Sequence, residues 1–178
     1  MAVVEIGKTL NYLTKCKRTH PYVVMFYGNS SLGKTEMVRK IAENFFNNKF
    51  FEQHLSMFKS NVNSDYLFGD KPNRKSLGYD LLERESNLIF WDEFDKCADY
   101  FYSVFYTLFD NTVFKDAVYE VDVSSTLIIL TSNYCTEEEM KEHLGLPIYY
   151  RIDKFIHFED FNTDTIYKIV AKELDDKY

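Results

Sequence analysis

The stretch Gly28-Asn29-Ser30-Ser31-Leu32-Gly33-Lys34-Thr35 decides the fold, because it matches the pattern G-x-x-x-x-G-K-[ST]. It follows the apolar segment Tyr22 to Tyr27 and precedes a helical pattern. A nucleotide polyphosphate carries closely spaced negative charges, so its site needs backbone N–H groups and a helix N-terminus directed at oxygen atoms. The two glycines allow the backbone to come close to such a ligand. The stretch therefore predicts a phosphate-binding loop between a strand and a helix.

The last residues of this loop carry the side chains expected to contact the nucleotide. Lys34 follows the second glycine directly, and a lysine at this position of the pattern is predicted to reach the β- and γ-phosphates. The Thr35 hydroxyl is predicted to ligate the Mg²⁺ ion that accompanies them. We therefore expect a nucleotide and Mg²⁺ as cofactors.

The composition favours one folded domain without a general affinity for nucleic acid. A chain of 178 residues with 46% hydrophobic residues can bury one substantial core, so we expect a single domain over residues 1–178. The formal net charge of −7 opposes attraction to a phosphate backbone. Binding to nucleic acid is therefore disfavoured.

The chain lacks the sequence signals of a secreted or membrane protein. No charged segment followed by an apolar stretch opens it, and no apolar run approaches the length that crosses a bilayer. Cys16, Cys97 and Cys135 are widely spaced and form no C-x-x-C pair, which is typical of reduced intracellular thiols. No histidine has the spacing of a zinc ligand. We expect a cytoplasmic protein with no membrane contact and no structural metal.

Short apolar runs and helical periodicity alternate along the chain. Buried strands are predicted at 23–26, within 50–57, and at 88–91, 127–130 and 155–158. Helices are predicted over 6–18, over the faces Val38–Phe46 and Phe101–Phe109, and at a terminal stretch with Ile166, Ile169, Val170 and Leu174. A capping box of Thr136 and Glu139 predicts a further helix to about His143, closed by Gly145 and Pro147. Residues 59–75 are predicted to form a loop with one helical turn. This alternation predicts an α/β fold whose mostly parallel sheet is covered by helices on both faces, with ligands at the carboxyl ends of the strands.

Two of the predicted strands end in polar residues suited to nucleotide hydrolysis. Asp92 follows an apolar run directly and is predicted to support the Mg²⁺ ion. Glu93 is expected to point in another direction, where it orients or deprotonates the attacking water. Asn133 ends the next apolar strand, and its amide is expected to contact the γ-phosphate or that water. Together with the phosphate loop, these residues predict a hydrolytic site.

These motifs resemble the large α/β subdomain of AAA+ ATPases, a P-loop NTPase fold, and most closely that of Clp-type protein unfoldases. The resemblance covers residues 23–170. Gly28–Glu36 resembles Walker A, Leu88–Lys96 resembles Walker B with the helix that follows it, and Leu127–Asn133 resembles the sensor-1 strand. The resemblance implies that the nucleotide is ATP, that Glu36 belongs to the binding stretch, and that the chain hydrolyses ATP.

The segment Tyr150 to Ile156 resembles the part of that family that carries the arginine finger. The resemblance implies that Arg151 reaches the nucleotide of a neighbouring subunit. It further implies a ring or head-to-tail homo-oligomer that remodels a protein partner. From residue chemistry alone, Arg151 is instead expected to pair with Asp153 or another surface acid.

Two departures from the family pattern limit what the resemblance implies. The aromatic loop that grips a threaded polypeptide is missing, and Gly78-Tyr79 is at most a degenerate remnant within a polar, basic stretch that begins at Gly69. The smaller helical lid should follow the last helix, whereas the sequence ends at Tyr178. We therefore expect a domain without a lid, either as a piece of a longer protein or as one that works without it.

Two other functions remain open from the sequence. In the first, nucleotide occupancy controls assembly or partner choice and hydrolysis is slow, an alternative that the missing gripping motif favours. The second is a replication helicase of superfamily three, which also has a strand ending in Thr-Ser-Asn. Such motors carry basic groups on a hairpin before that strand. The corresponding stretch here, 110–123, has one basic residue, Lys115, and four acidic ones, Asp110, Asp116, Glu120 and Asp122. DNA tracking is therefore disfavoured.

Overall fold

The structure, a computed structural model, describes residues 2–15, 18–58, 63–72 and 74–160. Its strands are β1 (Tyr22–Tyr27), β2 (Phe51–His54), β3 (Leu88–Asp92), β4 (Val113–Lys115), β5 (Glu120–Asp122), β6 (Leu127–Ser132) and β7 (Lys154–His157). Five of them form a parallel sheet in the order β2-β3-β6-β1-β7, and β4 and β5 form a separate antiparallel hairpin. The predicted parallel sheet is confirmed, and every predicted strand overlaps one of its members.

Helices precede or connect the strands. They are α1 (Ala2–Lys15), α2 (Lys34–Phe45), α3 (Ser64–Phe68), α4 (Leu77–Leu82), α5 (Tyr102–Asp110) and α6 (Glu137–Tyr149). Short 3-10 turns cover Leu55–Met57, Phe94–Lys96 and Asp99–Phe101. Among the described helices, none has the length and apolar composition needed to cross a bilayer. The predicted terminal helix at residues 166–174 lies outside the described residues.

The sheet is buried on both faces because its central strands are apolar at nearly every position. Alternate side chains of β1 belong to different clusters: Val24 and Phe26 pack with α1 and α2, whereas Val23 and Met25 pack with α4, α5 and α6. This arrangement confirms the predicted α/β sandwich. It also leaves the carboxyl ends of the strands as the edge at which polar loops gather.

Two helix predictions require correction, and the structure adds to a third. The first helix begins at Ala2 and ends at Lys15 rather than covering 6–18. Phe45, predicted to be buried, is 61% exposed, because α2 turns that position away from the sheet at its last residue. The helix from Thr136 ends near His143 as predicted, because helical geometry breaks at Gly145, but a second helical segment then continues to Tyr149, since Pro is tolerated in the first turn of a new helical segment.

Helix α4 is an element that the sequence pattern does not predict, and it contains the pair interpreted as a remnant of a gripping loop. Ser76 caps it by accepting a hydrogen bond from the Tyr79 N–H at 3.2 Å. A Cβ atom on Gly78 would lie 2.3 Å from a carboxylate oxygen of Asp116, and the Tyr79 ring packs on Tyr119. Gly78 and Tyr79 therefore lie in a helix packed against the β4–β5 hairpin and not in a loop.

Candidate functional site

The sheet order brings the predicted site residues together. β6 lies between β1 and β3, so the loop after β1, the acids after β3 and the polar end of β6 meet at one edge of the sheet. They line a cleft of about 430 Å³, a volume typical of small-molecule sites. Its lining residues are Ser30, Ser31, Gly33, Lys34, Thr35, Glu36, Arg39, Asp92, Glu93, Thr131 and Asn133.

The phosphate loop has the backbone that its glycines predict. Gly28 has φ 132°, and a Cβ atom there would lie 2.3 Å from the carbonyl oxygen of Phe158. Gly33 has φ 82° and is the N-cap of α2, so the N–H groups of the first turn have no side-chain cap. The Gly28 N–H donates to the Tyr134 carbonyl at 2.9 Å, which ties the loop to the end of β6. Uncapped N–H groups at a helix N-terminus favour an anion in the cleft.

The remaining loop residues have supporting contacts. Asn29 donates through its side-chain amide to Asp160 at 3.0 Å, and Leu32 packs into the apolar cluster beneath α2. Glu36 lines the cleft and is highly exposed, with an ion pair to Arg39 at 3.9 Å. Asn29 and Leu32 therefore hold the loop in place, and Ser30, Ser31 and Gly33 line the cleft.

Lys34 is the one cation of the loop, and it is almost fully buried. Its ammonium group donates to the carbonyls of Gly28 and Asn29, both at 2.7 Å, and to Asn133 Oδ1 at 3.3 Å. Burial lowers the pKa of Lys34, while the nearby carboxylates of Asp95 and Asp92 oppose that shift. These partners are uncharged carbonyl and amide oxygens, which anionic phosphate oxygens can replace, because the ammonium group is attracted more strongly to a charged acceptor than to a neutral one.

Asp92 and Glu93 both face the cleft, which a continuing strand would not allow. Glu93 has left-handed backbone angles, φ 55° and ψ 47°, which cost of order 1–3 kcal/mol for a residue other than glycine. The Thr131 hydroxyl donates to Asp92 Oδ1 at 2.5 Å and accepts from the Glu93 N–H at 2.9 Å. Sequence reasoning placed Thr131 only at the end of a strand. The only signal available in the sequence was a polar side chain directly after the apolar run, and its place beside Asp92 depends on the register of β3 and β6.

His54 is a second residue that sequence reasoning missed. It is the last residue of β2, and strand register pairs it with Asp92, so that His54 Nδ1 lies 3.2 Å from Asp92 Oδ2. Glu52, two positions earlier on the same face, lies 3.6 Å from His54 Nε2. The three side chains bring possible ligand atoms within 4.8 Å of one another, although their spacing along the chain is not that of a zinc site. The signal was a Glu-x-His pair at the period of a strand.

Arg151 does not line this cleft. Its Nε donates to Asp110 at 2.8 Å, its Nη1 donates to the Pro147 carbonyl at 2.6 Å, and its guanidinium lies 4.7 Å from the centre of the Tyr106 ring. The acid that pairs with it is therefore Asp110, whereas Asp153 binds Arg18 and the Val23 N–H. The predicted action of Arg151 on a neighbouring subunit stays a prediction.

The sheet order, the loop and the acids at its edge define an α/β domain of the P-loop class. Comparison with known families then gives the particular one: the chain belongs to the family described as AAA domain (Cdc48 subfamily), whose match covers residues 20–177. Membership of this family implies nucleotide binding. The predicted resemblance to AAA+ proteins is confirmed.

Individual relatives agree with the family. The chain is 25% identical over 186 residues to the chaperone protein ClpB of Chlamydia trachomatis, covering 85% of this chain and 21% of that protein. It is 26% identical over 174 residues to ClpB of Mycoplasmoides gallisepticum, covering 85% and 24%. The fold matches the closed-state cryo-EM reconstruction of Hsp104 with ATPyS and FITC casein, with a TM-score of 0.76, 20% identity, and coverage of 90% and 33%. The chain thus spans only about a fifth to a quarter of these ClpB relatives.

Proposed function

We propose that the chain binds Mg·ATP in this cleft, hydrolyses it, and works in a homo-oligomer that remodels a protein partner. The observation that carries the proposal is the meeting of Lys34, the acids Asp92 and Glu93, and Asn133 at one edge of the sheet. Each of these groups has a role in phosphoryl transfer, which depends on positioning and on stabilising charge. A protein partner is supported by the relatives: one is named a chaperone protein, and the matching Hsp104 structure is described with FITC casein.

The cleft suits a Mg²⁺ ion through the chemistry of its oxygen donors. Thr35 offers a hydroxyl and Asp92 a carboxylate, and both line the same cleft, which matches the preference of Mg²⁺ for hard oxygen ligands beside phosphates. When bound, the ion neutralises charge that develops on the phosphates. Thr35 and Asp92 are the residues that would hold it.

The other residues of the cleft supply the remaining steps. Lys34 exchanges its loop carbonyl partners for phosphate oxygens and keeps the nucleotide bound. Glu93 orients the attacking water and accepts its proton. Among the described residues, the cleft has two other carboxylates: Asp92, assigned above to the Mg²⁺ ion, and Glu36, which is highly exposed and paired with Arg39. Asn133, released by Lys34, is free to contact the γ-phosphate or the water.

Slow hydrolysis in a nucleotide-controlled assembly module is the second candidate. It is favoured by one observation: the stretch from Gly69 to Leu82 lacks the gripping motif, and its second half folds as helix α4 against the hairpin. A chain of this kind would bind ATP and assemble without rapid phosphate release. The two candidates therefore differ in turnover and agree on binding.

Turnover and binding measured on the same variants test the proposal. We expect Glu93→Gln to lower kcat by about 100-fold or more while ATP still binds, because general-base contributions are typically of that size. Lys34→Ala should abolish binding as well. Glu142→Gln, the same chemical change at an exposed position of α6, is the control and should leave both unchanged. Wild-type turnover that survives in Glu93→Gln would overturn the assignment of the base, and binding without any turnover would support the assembly module.

A further inference from the structure

The acids Asp92 and Glu93 face the same cleft only because the chain leaves its strand between them. Along β3, alternate side chains pack on opposite sides of the sheet: Phe90 joins the cluster beneath α2, and Trp91 joins the opposite cluster. A continued strand would place Asp92 on the side of Phe90 and would bury Glu93 on the side of Trp91. Instead both acids line the cleft.

The left-handed conformation of Glu93 is what redirects its side chain. The residue is not glycine, and its φ of 55° is held at the boundary between β3 and the 3-10 turn Phe94–Lys96. Such a conformation persists only where surrounding contacts hold it. Two hydrogen bonds hold the backbone of Glu93: its carbonyl accepts from the Lys96 N–H at 2.9 Å, and its N–H donates to Thr131 Oγ1 at 2.9 Å. The first belongs to the local turn, and the second ties Glu93 to the neighbouring strand β6.

One oxygen atom therefore serves both acids. The Thr131 hydroxyl donates a hydrogen bond to Asp92 Oδ1, and its oxygen accepts one from the Glu93 N–H, so both hydrogen bonds have a fixed direction. Thr131 is 2% exposed, and the strand pairing of β3 with β6 continues from Trp91 and Leu130 to place it beside Asp92. Although Thr131 lines the cleft, its side chain is almost fully buried, so the hydroxyl itself rather than solvent is the partner of both groups.

We propose that Thr131 is a positioning residue of the site, whose hydroxyl turns Glu93 into the cleft and fixes the Asp92 carboxylate without contacting the reacting atoms. Its catalytic consequence rests on the proposed function, whereas its structural consequence does not. Removal of the hydroxyl leaves the Asp92 oxygen and the Glu93 N–H without this partner. Serine keeps both hydrogen bonds, and valine, which has the same shape as threonine, keeps neither.

The test compares Thr131→Val and Thr131→Ser with a matched change at Thr126. Thr126 is also a buried threonine, directly before β6 and 3% exposed, and its hydroxyl donates to the Val123 carbonyl at 2.7 Å, away from the cleft. We expect Thr131→Val to lower kcat for ATP by about 10–100-fold, as supporting residues of metal and catalytic sites do, with KM for ATP little changed. Thr131→Ser should keep kcat close to the wild-type value. Thr126→Val should leave kcat unchanged, although this variant loses a comparable hydrogen bond.

Amide hydrogen exchange of Glu93 is measured on the same proteins, because it does not depend on turnover. It should accelerate in Thr131→Val and stay slow in Thr131→Ser and Thr126→Val. An unchanged kcat together with slow Glu93 exchange in Thr131→Val would overturn the inference. If wild type shows no turnover, the proposed function fails, and the exchange measurement alone then decides whether Thr131 positions Glu93. If Thr131→Val does not fold, Thr131→Ala removes the same hydroxyl and takes its place.

Discussion

Gly28 and Gly33 are both glycines of one motif, but they meet different physical requirements. At Gly28 the backbone has φ 132° and the carbonyl oxygen of Phe158 occupies the space of a side chain. At Gly33 the φ of 82° is unusual for other residues, yet nothing lies within 4 Å of the position that a Cβ atom would take. Glycine is therefore required at position 28 by both packing and backbone conformation, and at position 33 by backbone conformation alone.

We expect Gly28→Ala to lower the free energy of unfolding by about 3 kcal/mol, because it adds a backbone clash to conformational strain. Gly33→Ala should cost only about 1 kcal/mol, the usual penalty of the left-handed region. Urea unfolding followed by fluorescence of Trp91, the single tryptophan, measures both variants. Equal losses of stability would show that the contact with Phe158 does not matter.

At this scale the sequence predicts residues that belong to a motif and misses those that depend on register. Lys34, Asp92, Glu93 and Asn133 follow from local patterns, and the structure brings them to one cleft. Thr131 acts through atoms of a different strand, and nothing in its immediate neighbours indicates that its hydroxyl lies beside Asp92. Contacts of that kind become visible only when strand order and register are known.

Helix α4 and the β4–β5 hairpin are joined by one carboxylate, that of Asp116. Its Oδ2 accepts from the Ser76 hydroxyl at 2.6 Å and from the Gly78 N–H at 3.0 Å. Its Oδ1 accepts from the N–H groups of Val118 and Tyr119 at 2.8 and 2.7 Å. The acid that seemed only to make the hairpin unsuitable for DNA thus has a structural task, since four donors converge on its two oxygens.

We expect Asp116→Asn to lower the free energy of unfolding by about 2 kcal/mol, because an amide has one acceptor oxygen and its NH₂ group would face two donors. Glu120→Gln is the control, since it removes one negative charge from the same hairpin at an exposed pair with Lys115 and should change stability by less than about 0.5 kcal/mol. Urea unfolding compares the two variants. A loss in Asp116→Asn no larger than that of the control would contradict this role.

The elements differ in how far local sequence determines them. The apolar strands are predicted because burial on both faces leaves continuous hydrophobic runs, and the capping box at Thr136 and Glu139 is predicted because both partners lie within one turn. Helix α4 has six residues, too few for a clear period, and its stability comes from Asp116, a residue distant in sequence. The helix end predicted at Gly145 is found, and the second segment after it is not predicted, because a glycine with a proline two residues later marks the end of one helix and the start of the next equally well.

For the molecule as a whole, the contacts of Arg151 decide how assembly and hydrolysis can be linked. Within one chain Arg151 binds Asp110 and the Pro147 carbonyl and stacks on Tyr106, away from the cleft. A role at the nucleotide therefore requires a second subunit whose cleft lies against this surface, and a head-to-tail contact repeated around a ring provides it. In that arrangement the ion pair with Asp110 must be exchanged for phosphate, since one guanidinium cannot hold both.

Mixing two inactive variants tests this arrangement. Arg151→Ala keeps an intact cleft and lacks the arginine, whereas Glu93→Gln lacks the base and keeps the arginine. In a mixed assembly, a cleft of the first variant can meet Arg151 of the second, so activity should return to about a quarter of wild type if subunits associate at random head to tail. Phosphate release at increasing total protein concentration, at an equimolar ratio, measures the recovery.

The matched control is a mixture of Lys34→Ala with Glu93→Gln, whose defects lie in the same cleft and cannot complement each other. Unfolding of Arg151→Ala is measured alongside, because the loss of its contacts with Asp110 and Tyr106 also affects stability. Recovery in the first mixture and none in the second places the arginine in a neighbouring subunit. If both mixtures stay inactive while each variant is folded and oligomeric, Arg151 serves only the packing of α5 against α6. The positive charge near the γ-phosphate must then come from the cations that line the cleft within one chain, Lys34 and Arg39.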